Sequence, residues 1–135
     1  MVGILVVTHY NLGTELVAAA DMMGGKIDGI QAISVDPRKD TEKLMKEIST
    51  AIKRLDNGEG VLIITDMFGG TPSNLSLSFL EEGKVEVLTG VNLPMLIKLS
   101  TYREDKTLNE LAMQLKSFGQ KNINLASEIM NKKVV

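Results

Sequence analysis

Apolar residues in this chain alternate between short unbroken runs and longer stretches where they recur every three or four positions. Gly3 to Thr8 is the first unbroken run, rich in Val and Ile, the pattern of a strand buried on both faces. Leu12, Leu16, Ala19, Ala20 and Met23 then share one helical face, and Gly24-Gly25 closes that stretch. Ile30 to Val35 reads as a second strand, ended by Asp36-Pro37. Asp40 is placed to cap a second helix with the stripe Leu44, Ile48, Ile52 and Leu55, supported on its solvent side by Glu42 and Lys46. Asn57-Gly58 ends that helix, and Gly60 to Thr65 is the third strand.

The alternation continues to the end. Thr71-Pro72 reads as a helix start, with Thr71 as N-cap and Pro72 in the first helical position, followed by Leu75, Leu77, Phe79 and Leu80. Val85 to Thr89 is a fourth strand; Asn92-Leu93-Pro94 introduces a helix through Met95, Leu96 and Leu99; and Leu108 to Phe118 is a further helix. Ile123 to Ala126 is expected to be a short strand, with Ser127 to Lys132 a frayed helix or tail. Strands alternating with helices predict one α/β domain over residues 1–135, with a parallel sheet covered by helices on both faces. At this size the expected architecture is a flavodoxin-like open sheet of about four parallel strands. Its topology sets strands one and three side by side at the switch point, so the ligand crevice is expected at their carboxyl ends.

Composition narrows the function. The chain is 44% hydrophobic and 24% charged, enough for a real core, but only 4% aromatic, so Leu, Ile, Val, Met and Ala must fill it. A net charge of -2 argues against nucleic acid as the main partner, although the end around Lys133 is locally basic. The absence of cysteine excludes disulfides and thiolate catalysis. Residues 1–7 are apolar but lack a basic leader and fall well short of the roughly 20 residues that span a bilayer. A cytoplasmic location is the resulting expectation.

The candidate chemistry lies on the two loops that the topology brings together. Strand one ends in Thr8-His9-Tyr10-Asn11, which holds the sole His of the chain, and strand three ends in Asp66. A carboxylate accepting one ring N–H of His9 would leave the opposite nitrogen free for nucleophilic attack and would stabilise charge developing on the ring. In the stretch Gly69-Gly70-Thr71-Pro72, glycines permit close backbone approach to an anion, and a helix start offers free N–H groups. The hydroxyls of Thr8 and Thr71 are candidate additional phosphate contacts. No metal-ligand set is apparent there, so direct transfer between protein nucleophiles, without metal or cofactor, is expected. Each feature alone has an ordinary structural explanation: Asp66 as a loop cap, the glycines as a turn, Met22 and Met23 as packing.

These segments together resemble the EIIA domain of the mannose-type (mannose, fructose and sorbose) bacterial sugar phosphotransferase system. The likeness rests on Val7-Thr8-His9, on Asp66-Met67-Phe68-Gly69-Gly70-Thr71-Pro72-Ser73-Asn74 and on Thr89-Gly90-Val91-Asn92-Leu93-Pro94-Met95, in that order along the chain. The resemblance implies a phosphocarrier whose His9 receives phosphate from the small carrier HPr and passes it to an EIIB protein during sugar uptake. It implies that Asp66 orients the ring while Gly70 and Thr71 hold phosphate. It also implies a homodimer exchanging a C-terminal strand, for which Ile123 to Ala126 is the candidate. The acceptor EIIB is expected to be a separate protein. One departure stands out: family members commonly carry Gly after the active His, and this chain has Tyr10.

Other readings stay open on the sequence alone. A two-component receiver domain would phosphorylate an Asp at the place of Asp66, but it needs an acidic cluster after strand one, where this chain has Thr8-His9-Tyr10. A regulatory phosphoprotein, whose His9 state controls partner binding without transport, is compatible with every residue named. A nucleotide-binding module would need a phosphate loop that the sequence lacks. A carrier feeding dihydroxyacetone kinase shares the fold but fits Asp66 to Asn74 less well.

Overall fold

The computed structural model describes the backbone of residues 1–134 and the side chains of residues 1–130; Lys133 of the basic end lies outside the described side chains. Four strands form one parallel sheet: β1 (Gly3–His9), β2 (Ile30–Val35), β3 (Val61–Thr65) and β4 (Val85–Thr89), in the order β2-β1-β3-β4. The helices are α1 (Leu12–Gly24), α2 (Thr41–Leu55), α3 (Thr71–Leu77), α4 (Leu93–Tyr102), α5 (Leu108–Lys121) and α6 (Ala126–Val134). β1 and β3 are neighbours, as the unbroken apolar runs imply. Such runs belong to central strands, because both faces of each strand must be covered.

Alternate residues of β1 feed two cores. Ile4 and Val6 pack with Ala20 of α1, Leu96 and Leu99 of α4, and Leu111 and Leu115 of α5. Leu5 and Val7 face the other way, against Leu44, Ile48 and Ala51 of α2. Asp40 caps α2 as expected, its carboxylate accepting from the Glu42 N–H at 3.0 Å. Gly3 allows the sheet and α2 to close, since a Cβ there would lie 2.6 Å from the Leu55 carbonyl oxygen.

Several details differ from the expectations. Gly70, rather than Thr71, is the N-cap of α3, which shifts Pro72 one place into the helix. Leu77 and Leu80 are exposed, because α3 ends at Leu77 after two turns and has no continuous apolar face to present. Leu12, Met22 and Met23 are exposed too: the fully buried positions of α1 are Gly13 and Ala20, with Leu16 and Val17 half-buried against the same core. Residues 123–125 have no regular structure, and Ala126 begins α6 instead of closing a strand. A strand needs a ladder partner, and none of the described residues supplies one at this segment.

Candidate active site

The site is built where β1 and β3 end. Val7 pairs with Thr65, so Asp66, the first residue past β3, lies beside the end of β1, whose last residue is His9, paired on its other side with Val35. The Asp66 carboxylate reaches back across the gap. Its Oδ2 accepts the backbone N–H of His9 at 3.0 Å and meets the ring Nδ1 at 2.8 Å, while Oδ1 accepts the Met67 N–H at 3.0 Å. An ionised carboxylate only accepts hydrogen bonds, so in the neutral ring the proton lies on Nδ1 and the lone pair of Nε2 is free.

The electrostatics agree with an ionised Asp66. Its side chain is 11% exposed, and this burial pushes the carboxyl pKa up. The hydrogen bonds from the His9 backbone and ring, with the charge of His9, outweigh burial and hold it below the ordinary carboxylate value. The His9 side chain is 32% exposed, so the ring is anchored from inside and open from outside.

Gly69 and Gly70 serve different ends. Gly69 has φ +94 with open space around it, so the backbone turn itself calls for glycine. Gly70 has an ordinary φ of −90, but a Cβ there would fall 2.6 Å from His9 Cε1 and 3.1 Å from Nε2. The missing side chain is what keeps the free nitrogen clear. Just beyond, α3 begins with no side-chain cap, and Pro72 has no N–H, so the first-turn N–H groups lack side-chain partners. Thr71, half-buried, is the first residue of that helix.

Thr8 does not fit the phosphate contact expected of it. It is fully buried, and its hydroxyl accepts the Gly13 N–H at 2.7 Å. The hydroxyl is thus spent on fixing α1 against β1, with no surface for a phosphoryl oxygen. Gly13 makes that approach possible, since its Cβ would meet Val6 and Thr8 at 3.0 to 3.2 Å. A glycine inside a helical stretch is the available sequence signal for it. The Met67 N–H that fixes the second oxygen of Asp66 carries no side-chain signature at all.

The receiver-like alternative meets a concrete obstacle. Both Asp66 oxygens are already engaged by His9 and Met67, and β1 ends in Thr8, His9, Tyr10 and Asn11, none of them acidic. Close to His9 and Asp66 in the sequence, Tyr10, Leu12, Met67 and Phe68 are 58%, 48%, 54% and 72% exposed. Among the described residues, no helix is long and apolar enough to cross a membrane.

Comparison with known proteins bears on the family. Residues 3–116 match the family model EIIA-man, the PTS system fructose IIA component, where PTS denotes the sugar phosphotransferase system. The fructose-specific EIIA component of Bacillus subtilis is 28% identical over 133 residues, spanning 98% of this chain and 91% of that protein. The mannose-specific EIIAB component of Escherichia coli is 30% identical over 105 residues, which cover 77% of this chain and 32% of that longer protein. The solved PTS IIA protein associated with the fucose utilization operon of Streptococcus pneumoniae superposes with a TM-score of 0.80 at 26% identity, covering 95% of each chain. An open parallel sheet, a histidine held by an aspartate at its switch point, and these likenesses converge: the chain belongs to the mannose-type EIIA family of the sugar phosphotransferase system.

Proposed function

We propose that this protein is a cytoplasmic phosphocarrier in which His9 Nε2 takes a phosphoryl group from the phosphohistidine of HPr and hands it to an EIIB protein during sugar uptake. The observation that carries this reading is the pairing of a held Nδ1, 2.8 Å from Asp66, with an Nε2 left clear by the bare Cα of Gly70. The Nε2 lone pair attacks phosphorus, a new N–P bond forms, and the donor's N–P bond breaks with its electron pair returning to the donor imidazole. The proton stays on Nδ1, and Asp66 offsets the positive charge that the His9 ring acquires. In the second transfer the acceptor attacks phosphorus and the electron pair returns to Nε2.

Gly69, Gly70 and Thr71 are the phosphate-binding residues in this reading. The glycines leave room for the three phosphoryl oxygens, and the uncapped first turn of α3 and the Thr71 hydroxyl donate to them. The working unit is a homodimer. Its support is the open edge of β4 together with Ile123 and Leu125, 77% and 62% exposed, with Ile123 lining a groove beside Val87, Leu88 and Thr89 of that edge. Light scattering at micromolar concentration tests the dimer, and a monomer there contradicts it.

The test of transfer is reconstitution. Incubation with phosphoenolpyruvate, enzyme I and HPr adds one acid-labile phosphate to the intact mass, and His9→Ala abolishes it. Unimpaired labelling of His9→Ala would sink the mechanism.

A further inference from the structure

Lys98 and Tyr102 stand four residues apart on α4 and share one face. On α5 the same spacing joins Gln114 to Phe118 and Ser117 to Lys121. The two helices pack together over Leu111 and Leu115, and these six side chains line the groove between them, with a volume of about 250 Å³. The chain has two Tyr and three Phe, and one of each stands in this groove. Lys98 Nζ lies 4.0 Å from the centre of the Tyr102 ring and 4.7 Å from that of Phe118, attracted by the negative faces of both.

The groove is cationic in a chain whose net charge is -2. Among the described residues that line it none is acidic, and neither Lys98 nor Lys121 forms an ion pair with a described residue. Ring faces attract an ammonium but supply no oxygen, so the N–H groups of Lys98 are left to water or to an anion. Leu111 and Leu115 give a buried apolar floor, while Tyr102, Gln114, Ser117 and Lys121 reach the surface. An apolar body with a few polar groups to orient a ligand is the general form of a small-molecule site. None of these residues is shared with the site at His9.

We propose that the groove between α4 and α5 binds a small sugar phosphate, at a site separate from His9. Lysines act on phosphate as point charges, and a dianionic monoester answers two of them. The faces of Tyr102 and Phe118 suit the C–H face of a sugar ring, and Gln114 and Ser117 offer hydrogen bonds to its hydroxyls. A volume of about 250 Å³ lies just under the roughly 300–1,000 Å³ of ordinary ligand pockets, which favours one sugar ring over a nucleotide or a peptide. The inference goes beyond the transfer reading and does not rest on it.

The experiment titrates nitrogen-15-labelled protein with fructose 6-phosphate, mannose 6-phosphate, unphosphorylated fructose and inorganic phosphate, and follows the backbone amide shifts. At least one of the two sugar phosphates gives saturable shifts at Gln114, Ser117 and Phe118 and binds about tenfold tighter than inorganic phosphate, while fructose does not bind. Lys98→Gln and Tyr102→Leu each weaken this binding by about tenfold, with the amide spectrum away from the groove unchanged. Lys121→Gln, which alters only an exposed side chain, weakens it too, and His9→Ala leaves it as in the wild type. The inference is overturned if neither sugar phosphate gives saturable shifts in the groove, or if the shifts gather at Gly69 to Thr71 and vanish in His9→Ala. Equal affinity for inorganic phosphate, or binding indifferent to both Lys98→Gln and Lys121→Gln, overturns it as well.

Discussion

The two ends of the β-sheet each hold a nitrogen-bearing side chain that ties distant segments together, and they do so in opposite ways. At the amino end, Arg103 is 4% exposed and donates to the Val2, Asp28 and Gly29 carbonyls, the first of them 101 positions away. Gly29 leaves room for it, since a Cβ there would lie 2.7 Å from the guanidinium. Burial pulls the Arg103 pKa below its ordinary value, with the charge of Asp28 pulling the other way. At the carboxyl end, His9 is bound 57 positions away to Asp66 through one ring nitrogen only. A side chain whose donors are taken up by carbonyls locks strands, loops and helix together. One with half its capacity left open, on the exposed side, is available for chemistry.

Substitutions at the two ends should separate stability from reactivity. The largest effect is expected for Asp66→Asn. An amide can donate to Nδ1 and favour the wrong tautomer, so the rate of His9 phosphorylation should fall by about 10³-fold or more. Rapid-quench kinetics with phospho-HPr would measure this, while circular dichroism should report an intact fold.

Next comes Arg103→Met, which strands the Val2 and Asp28 carbonyls, while the Gly29 carbonyl keeps the Ile4 N–H. It should cost about 3 kcal/mol of unfolding free energy in urea titration. The folded variant should accept phosphate at nearly the wild-type rate. A slow but stable Arg103→Met would erase the contrast between the two ends.

Gly70→Ala should do the reverse. Its new Cβ meets the His9 ring, and the displaced nucleophile should lose about 100-fold in transfer rate with little loss of stability. If Gly70→Ala transfers normally, the clearance around Nε2 is not what the glycine provides.

The smallest effect is a pH dependence. Asp66 has a folded pKa below its unfolded one, so its contribution to stability is present above the ordinary carboxylate value of about 3.9 and is lost as pH falls through the folded value. Unfolding titrations between neutral pH and this acid range should show a modest decline that Asp66→Asn lacks.

The legibility of each feature follows from where its information resides. The parallel sheet and the adjacency of β1 and β3 are readable because doubly covered strands must be apolar throughout. That adjacency brings His9 to Asp66 without any local motif. The stripes of α1 and α3 hold at Leu16, Ala20 and Leu75 and fail at Leu12, Met23 and Leu77, because α1 turns Gly13 to the sheet and α3 stops at Leu77. Thr8 resembles a phosphate contact because a hydroxyl beside the nucleophile is ambiguous until its partner, the Gly13 N–H, is known. The Arg103 clamp is invisible for a related reason: its acceptors are backbone carbonyls, which every residue has. Tyr10 stands in a left-handed turn with φ 49 that is also hidden, since its cause is the hydrogen bonding of neighbouring strands rather than the residue itself.

The central claim is that Nε2 of His9, not Nδ1 and not Asp66, carries the phosphoryl group. Nitrogen-15 and phosphorus NMR of the uniformly labelled protein, phosphorylated through HPr, reads this directly. The phosphorus should couple to Nε2, with Nδ1 remaining protonated toward Asp66. Phosphorus bonded to Nδ1, or found as an acyl phosphate on Asp66, would contradict the account.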